Sequence, residues 1–439
     1  MVILGLGSNL GDRLAHLRLA LELIKQIPSC SVQQISPVYI SDALLPENAP
    51  AHWDIPYLNL ALRCHTELLP YEFLEWIKKI EIKIGRTPEK NWGPRIIDID
   101  ILAWDILIQY DEKLHIPHEY LAERPFALWP LADVAPHWVH PLHHKTSAEM
   151  VLNWGSRFSG DAPFHTRQIQ QRIDTPQLVG ILNMTPDSFS DGGQFMDPTL
   201  ALQHVKKLVK AGAEIIDIGA EATGPQGDIV NPLTEWQRLE PILTVLLPEL
   251  DGMHIRPKIS IDTRHAITAK KCLDLKVDWI NDVSGLTSPE MREIIADYTN
   301  DVVIMHHLTI PEDRTLHLPR HEDVSVLVYQ WAIKQLERLE KDNINAERII
   351  FDIGVGFGKT AEQSLALIKS IPLFQQLKTR LLVGHSRKSF LQLFTAKPAP
   401  ERDIETIVLS LSLMTHAIDY LRVHNISDHA HAFKVAAVL

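Results

Sequence analysis

The stretch 180–193, GILNMTPDSFSDGG, runs from an apolar segment into a polar loop that ends in two glycines. Residues 178–182 have the length and apolarity of a buried strand, and Asn183 stands where that strand would end. Thr185, Pro186 and Asp187 supply turn chemistry, while Gly192 and Gly193 leave the far end of the loop free to move. An amide, two carboxylates (Asp187 and Asp191) and hydroxyls at Thr185, Ser188 and Ser190 suit a loop that closes on a metal-bound or phosphorylated ligand. An ordinary βα connection, whose polar residues cap the next helix, has a similar composition.

Outward from this loop, strand and helix signals alternate to the end of the chain. Strands are expected at 178–182, 215–218, 258–261, 279–281, 302–305, 349–351, 381–383 and 420–423, with helical stretches between them such as 199–211, 324–342 and 402–416. Eight βα units predict a (β/α)8 TIM barrel, whose ligands bind at the C-terminal ends of the strands. Polar residues do gather there: Asn183; Asp217 with Glu221 and Thr223 beyond it; Asp262, Thr263 and Arg264; Asn281 and Asp282; His306 and His307; Asp352; Ser386, Arg387 and Lys388; Arg422 and His424.

Residues 1 to about 155 show a different, α+β pattern. Strands are expected at 2–6, 32–39, 57–64 and 96–104, and helices at 12–27, with Leu14, Leu17, Leu21 and Ile24 on one face, and at 70–84 before Gly85. The order β-α-β-β-α-β is that of a ferredoxin-like sheet. In 92-WGPRIIDIDIL-102, strand alternation puts Asp98 and Asp100 on one side and Ile97, Ile99 and Ile101 on the other. Adjacent carboxylates repel each other and are best tolerated beside cations, and hard oxygen ligands are what magnesium-dependent phosphoryl transfer requires. A half-exposed strand with its polar face in water also carries a D-x-D. Arg86, Trp92 and Arg95 just upstream add to the first reading.

The segment 155–175 has no periodicity and reads as a linker, with a short helix near 166–172 as the other possibility. It separates domains at 1–154 and 176–439. With 45% hydrophobic residues and no apolar run near the length of a membrane span, the chain of 439 residues has the composition of a soluble globular protein. It opens on Val2-Ile3-Leu4-Gly5, unlike a signal peptide. Its three cysteines, Cys30, Cys64 and Cys272, lack metal-ligand spacing and read as reduced thiols of a cytoplasmic protein. A formal net charge of −12 argues against a nucleic-acid surface.

The segment 183–193 resembles, at every position but Met184, the first loop of dihydropteroate synthases, folate-pathway enzymes that join a pterin to p-aminobenzoate. The stretches 352-DIGVGFGK-359 and 384-GHSRKS-389 are similar to further motifs of that family. The resemblance implies displacement of pyrophosphate from a pterin's exocyclic carbon by an aromatic amine. Asn183 would ligate one magnesium ion, and Arg422 and His424 would hold the pyrophosphate. Asp262, Asn281, Asp352, Phe357 and Lys388 would bind the pterin. Asp191 would meet charge developing on the carbon, and Phe189, Thr223, Pro225 and Ser386 would line the aminobenzoate pocket.

The first 140 residues, through 92-WGPRIIDIDIL-102 and 7-GSNLG-11, resemble 6-hydroxymethyl-7,8-dihydropterin pyrophosphokinases. There Asp98 and Asp100 would hold two magnesium ions, Arg86 and Arg95 would stabilise the pyrophosphoryl group of ATP, and His118 and Arg124 would contact phosphates. Tyr57 and Phe126 would sandwich the pterin, Asn59 would bind its edge, and Trp92 would join the substrate-binding set. Both segments depart from their families. The loop 41–56 is long and glycine-free, Gly224 replaces an expected arginine, and His307-Leu308 replaces Met-x-Gly. Together the resemblances imply a bifunctional cytoplasmic enzyme using pterin, ATP and p-aminobenzoate, without nucleic-acid or membrane partners, and pairing as a homodimer through its barrel. A methyl-transferring pterin barrel and an inactive binding module are the rival readings.

Overall fold

The computed structural model describes residues 1–437 apart from 88–92, 155–167, 171, 185–196, 222–228, 254, 314 and 417. It divides into two compact units, Met1–Asp174 with Phe433–Leu439, and Thr175–Ala432. Trp92, Phe189, Asp191, Thr223, Gly224 and Pro225 lie outside the described residues. Among the described residues no helix is long and apolar enough to cross a membrane.

The first unit contains β1 (Val2–Ser8), α1 (Arg13–Lys25), β2 (Cys30–Ile35), β3 (Val38–Ser41), β4 (Tyr57–Thr66), α2 (Pro70–Ile84) and β5 (Asp98–Trp104). A small pair, β6 (Gln109–Tyr110) and β7 (His115–Ile116), then α3 (Pro125–Val134), α4 (Ser147–Val151) and β8 (Gln168–Gln170) complete it. The antiparallel sheet runs β5-β1-β4-β3-β8, with β2 also on β4, which is the expected ferredoxin-like order with one strand added. Asp12 caps α1 by accepting from Ala15 N, and Gly85 ends α2 at φ +111°. The strand expected at 32–39 is interrupted at Ser36-Pro37, because proline has no N–H for the ladder. Ser36 Oγ covers the gap by accepting from Ala61 N at 2.9 Å.

The two faces of this sheet are covered differently. Leu17, Leu21 and Ile24 of α1 and Phe73, Ile77 and Ile80 of α2 pack with Leu4, Leu6, Leu60, Ile99 and Ile101 in one core. On the other face Leu128, Leu131 and Val134 of α3 pack with Ile3, Ala61 and Leu102. Strand alternation puts Asp98 and Asp100 on this second face, where they precede Leu102.

The stretch 155–175 is not wholly a linker. β8 pairs antiparallel with β3, Val38 opposite Gln170, and Ile173 is buried in the first core. Gln168-Ile169-Gln170 holds a single apolar residue, too little for a period-2 signal, and strand rather than helix forms because β3 offers an open edge.

The second unit alternates β9 (Gln177–Asn183), α5 (Pro198–Ala211), β10 (Ile215–Gly219), α6 (Pro232–Asp251), β11 (Lys258–Asp262), α7 (Ala266–Asp274), β12 (Trp279–Asp282) and α8 (Pro289–Ala296). It continues with β13 (Asp301–Met305), α9 (Val324–Lys341), β14 (Ile349–Asp352), α10 (Ala361–Lys369), α11 (Ile371–Phe374), β15 (Arg380–Val383), α12 (Asp403–Met414), β16 (Tyr420–Val423) and α13 (Ile426–Ala436), the last of which is counted with this unit only as far as Ala432. β9 to β16 close into a parallel barrel. Val179, Ile215, Trp279, Val303, Ile350, Leu382 and Tyr420 form an apolar layer inside it.

Candidate functional sites

The barrel site follows from that apolar layer by strand geometry. Two residues further along a strand the side chain again points inward. The step from Ile215, Trp279, Ile350 and Tyr420 leads to Asp217, Asn281, Asp352 and Arg422. A ring of polar groups therefore sits directly above an apolar plug, at the C-terminal ends of the strands. A cavity of about 730 Å³ opens over it, lined by Asp262, Asn281, Asp352, Phe357, Ser386, Lys388, Arg422 and His424 among others. Those eight are the expected substrate residues that the described structure brings together. Asn183, half-buried at the end of β9 beside Gly219 of β10, is not among the described lining residues.

Arg422 is anchored before any ligand arrives. Its Nε donates to Asp217 at 2.6 Å and its Nη2 to Asp262 at 3.4 Å. Asp217 also accepts from Ser260 Oγ at 2.6 Å and from Asn281 Nδ2 at 3.2 Å. One buried carboxylate thus orients two cavity residues. The sequence reading noted Asp217 only as a strand-end residue; its inward register two positions after Ile215 was the available signal. Burial and the neighbouring Asp217 charge hold the Asp262 carboxyl well above the usual range.

Lys388 donates to Val355 O at 2.6 Å and lies 4.7 Å above the Phe357 ring. Burial lowers its pKa to about 8. A second lysine, Lys359, was missed. Its Nζ reaches His306 Nδ1 at 2.9 Å, His306 O at 3.2 Å and Phe357 O at 2.9 Å, which ties the loop after β14 to the loop after β13. Burial and Lys388 lower it to about 7.

Two glycines of the 352–359 motif face the protein rather than the ligand. A Cβ on Gly354 would stand 1.9 Å from His306 O, and one on Gly358 would stand 2.4 Å from Leu308. They let these loops lie in contact, and Leu308 packs where the family pattern has a different residue. Ser386 Oγ and His424 Nδ1 are 2.9 Å apart. Burial, Arg387 and Arg422 lower His424 to about 3, so near neutrality it offers a ligand a neutral ring.

In the first unit, a cavity of about 350 Å³ is lined by Tyr57, Asn59, Arg95, Asp98, Asp100, His118, Arg124 and Phe126 among others. Phe126 is on α3, an element the sequence reading did not include. Gly7 and Gly5 of β1 stand opposite Asp98 and Asp100. A Cβ on Gly7 would lie 3.2 Å from Asn59 Oδ1 and 3.5 Å from Tyr57, so its bareness leaves room for the pocket side chains. Asn59 Nδ2 donates to buried Ser41 Oγ at 2.7 Å, which turns the amide and gives the atypical 41–56 loop a defined role.

The 7-GSNLG-11 motif works as a clamp. Ser8 Oγ donates to Ile96 O at 2.6 Å, and Asn9 reaches Arg95 N at 2.7 Å and Ile55 O at 3.1 Å. It fixes the entries to β4 and β5, and with them the cavity wall.

Asp98 accepts from Arg86 and Arg95, each at 2.7 Å. Arg86 also pairs with buried Glu81, whose Oε1 takes Ile99 N at 2.8 Å. Among the described residues Asp100 has no such pair, and His118 Nε2 stands 4.0 Å from it. Enclosure and the Asp98 charge push Asp100 up to about 7. His118 Nδ1 accepts from Tyr120 N at 3.3 Å, which leaves the proton on Nε2 when the ring is neutral, and burial lowers it to about 4. Two adjacent carboxylates with one raised in this way form a hard-oxygen pair that a divalent cation would relieve.

Comparison with known proteins agrees with both halves. Residues 179–424 match the family model described as pterin binding enzyme, and residues 3–136 match that of 7,8-dihydro-6-hydroxymethylpterin-pyrophosphokinase. A folate synthesis bifunctional protein of Chlamydia caviae is 36% identical over 442 residues, covering 99% of this chain and 97% of that one. The dihydropteroate synthase of Anaplasma phagocytophilum, solved with 6-hydroxymethylpterin-monophosphate, is 34% identical at a TM-score of 0.55 and covers 60% of this chain and 98% of its own. A solved pyrophosphokinase–synthase with substrates aligns over 99% of this chain and 98% of its own, with a TM-score of 0.55 and 21% identity, and shows the shared fold.

Proposed function

The chain belongs to the family of bifunctional folate-synthesis proteins, and from that premise we propose which of its residues carry each of the two reactions. The first moves a pyrophosphoryl group from ATP to the hydroxymethyl oxygen of 6-hydroxymethyl-7,8-dihydropterin and releases AMP. The second forms a bond between that exocyclic carbon and the amine of p-aminobenzoate, breaks the carbon–oxygen bond and releases pyrophosphate, giving 7,8-dihydropteroate.

In the kinase half, Tyr57 and Phe126 stack on the pterin and Asn59, turned by Ser41, binds its edge; Trp92 belongs to the substrate-binding set. Asp98 and Asp100 hold magnesium, two ions by analogy with the family, because their paired oxygens suit a hard cation. Bound there, magnesium neutralises phosphate charge. Arg86 and Arg95 leave Asp98 for the transferring group as it arrives, and His118 and Arg124 hold phosphate oxygens.

In the synthase half, Asp352 accepts from the pterin's amino group and ring N–H. Asp262 and Asn281 bind other edges, Lys388 donates to ring acceptors, and Phe357 stacks beside them. Arg422 and His424 hold the departing pyrophosphate, and Asn183 is the residue that would hold a magnesium ion, which would supply further charge neutralisation there. Asp191 meets the charge left on the carbon, and Phe189, Thr223, Pro225 and Ser386 surround the aminobenzoate. A cytoplasmic homodimer paired through the barrel completes the reading.

The observation that carries the proposal is the polar ring of Asp217, Asn281, Asp352 and Arg422 above the apolar plug. Asp352→Asn tests it by calorimetric titration with pterin pyrophosphate. The expected result is a loss of affinity of at least ~10-fold, as for a hydrogen-bonded charge removed from a buried site. Unchanged affinity would exclude Asp352 as the pterin anchor.

A further inference from the structure

We propose that Asp403, the first residue of α12, is a positioning residue of the synthase reaction: its carboxylate locks the loop that carries Ser386 and Lys388 to the loop that carries His424. The proposal rests on the roles of Lys388 and His424 given above, and adds a residue that is not among those lining the cavity. The strained residue is Arg387. It stands between two cavity residues at φ +59°, a left-handed conformation that residues other than glycine seldom adopt. Such a residue persists where its surroundings hold it, so the groups that hold it set where Ser386 and Lys388 stand.

Arg402, Asp403 and Thr406, at the start of α12, do so. Asp403 accepts two bonds from the Arg387 guanidinium, Nε to Oδ1 at 2.7 Å and Nη2 to Oδ2 at 2.9 Å, a bidentate geometry that fixes direction as well as distance. Arg387 N donates to Thr406 Oγ1 at 3.2 Å, and buried Arg402 donates through Nη1 to Lys388 O at 3.0 Å. Backbone and side chain of the loop are therefore both tied to one helix end, while Ser386 and Lys388 line the cavity.

The same carboxylate reaches the neighbouring loop. Its Oδ2 accepts from Asn425 Nδ2 at 3.0 Å, and Asn425 directly follows His424. The two loops thus meet twice, through Ser386 Oγ and His424 Nδ1 at 2.9 Å and again through Asp403. Burial opposes charge on Asp403, but the bonds from Arg387 and Asn425 prevail and hold its carboxyl below the usual range, so near neutrality it accepts from both loops. Lys388 and His424 serve opposite ends of one substrate, the pterin ring and its pyrophosphate. The carbon–oxygen bond that breaks lies between those ends, so a fixed spacing of the two residues favours the reactive geometry.

The test is steady-state synthase kinetics of the full chain with supplied pterin pyrophosphate and p-aminobenzoate. Asp403→Asn keeps the side chain's shape but removes its charge and one acceptor, and is expected to raise the KM for pterin pyrophosphate at least ~10-fold. A loss of folded barrels would instead lower kcat and leave KM alone, since only folded barrels turn over. The rise should be at least ~3-fold smaller in a Lys388→Met background, because Asp403 acts through that residue. Should Asp403→Asn not fold, Asn425→Ser decides: it keeps an oxygen for Asp428 N but loses the amide to Asp403, and a KM rise of at least ~3-fold is expected. An unchanged KM, a fall in kcat alone, or an equal rise with and without Lys388 would overturn the proposal. Lys388→Met by itself separates the two readings. A wild-type KM there would refute the assignment of Lys388 to the pterin, and this proposal with it, whereas a raised KM there beside an unchanged one in Asp403→Asn would refute the role of Asp403 alone.

Discussion

Arg422 of β16 and Asp217 of β10 meet at 2.6 Å across the interior of the barrel, with β9 between their strands. The guanidinium is therefore held in place from one side while its remaining nitrogen is available to a ligand. Asp217 supports both Arg422, the proposed pyrophosphate grip, and Asn281, a proposed pterin contact, without being among the residues that line the cavity. Asp217→Ala is expected to destabilise the barrel by roughly 3–5 kcal/mol, the cost of breaking a buried ion pair. Asp217→Asn should fold and lower synthase kcat/KM by ~10- to 100-fold through misplaced partners. Urea unfolding and synthase kinetics with supplied pterin pyrophosphate check the two outcomes, and unchanged kinetics in Asp217→Asn would remove its positioning role.

The kinase half has a pH signature. Asp100, raised to about 7, must lose its proton to bind a cation. Kinase activity at subsaturating Mg2+ should therefore fall as pH drops through about 7. Added Mg2+ competes with the proton, so the limb should move to lower pH as Mg2+ increases. A limb that does not respond to Mg2+ would assign that titration to another group.

Lys388 gives the opposite limb in the synthase half. Its pKa is lowered to about 8, and only the protonated form is a cation for the pterin's acceptors. Pterin affinity should decline as pH rises through about 8, and Lys388→Met should abolish that decline while lowering affinity at pH 7 by at least ~10-fold. Calorimetric titration across pH 6–9 measures both.

Gly354 tests the contact between two loops. It sits at φ +68°, and an added Cβ would meet His306 O. Gly354→Ala should cost at least ~1–3 kcal/mol of barrel stability, the scale of backbone strain, and raise the KM for pterin pyrophosphate because Lys359 then loses its fixed acceptors. A variant with wild-type unfolding would show that this loop pair yields easily.

The eight barrel strands were legible because short apolar runs fall at regular spacing, and the polar residues at their ends followed from that register. The kinase cleft was equally readable in the D-x-D alternation of β5. What escaped depends on contacts distant in sequence. Lys359 reads as one more loop lysine until His306 is placed beside it, and Ser41 until Asn59 donates to it. β8 exists because β3 leaves an edge open, which three residues with one isoleucine do not announce. The glycines of 352–359 read as room for a ligand, whereas Gly354 and Gly358 make room for His306 and Leu308.

The most direct test of the account is a coupled assay on the whole chain. It supplies 6-hydroxymethyl-7,8-dihydropterin, ATP, Mg2+ and p-aminobenzoate and follows AMP and dihydropteroate together. Asp98→Asn should abolish both products, and added pterin pyrophosphate should restore dihydropteroate alone at the wild-type rate. Near-normal AMP release by Asp98→Asn, or no rescue by the supplied intermediate, would contradict two separate sites carried by these residues.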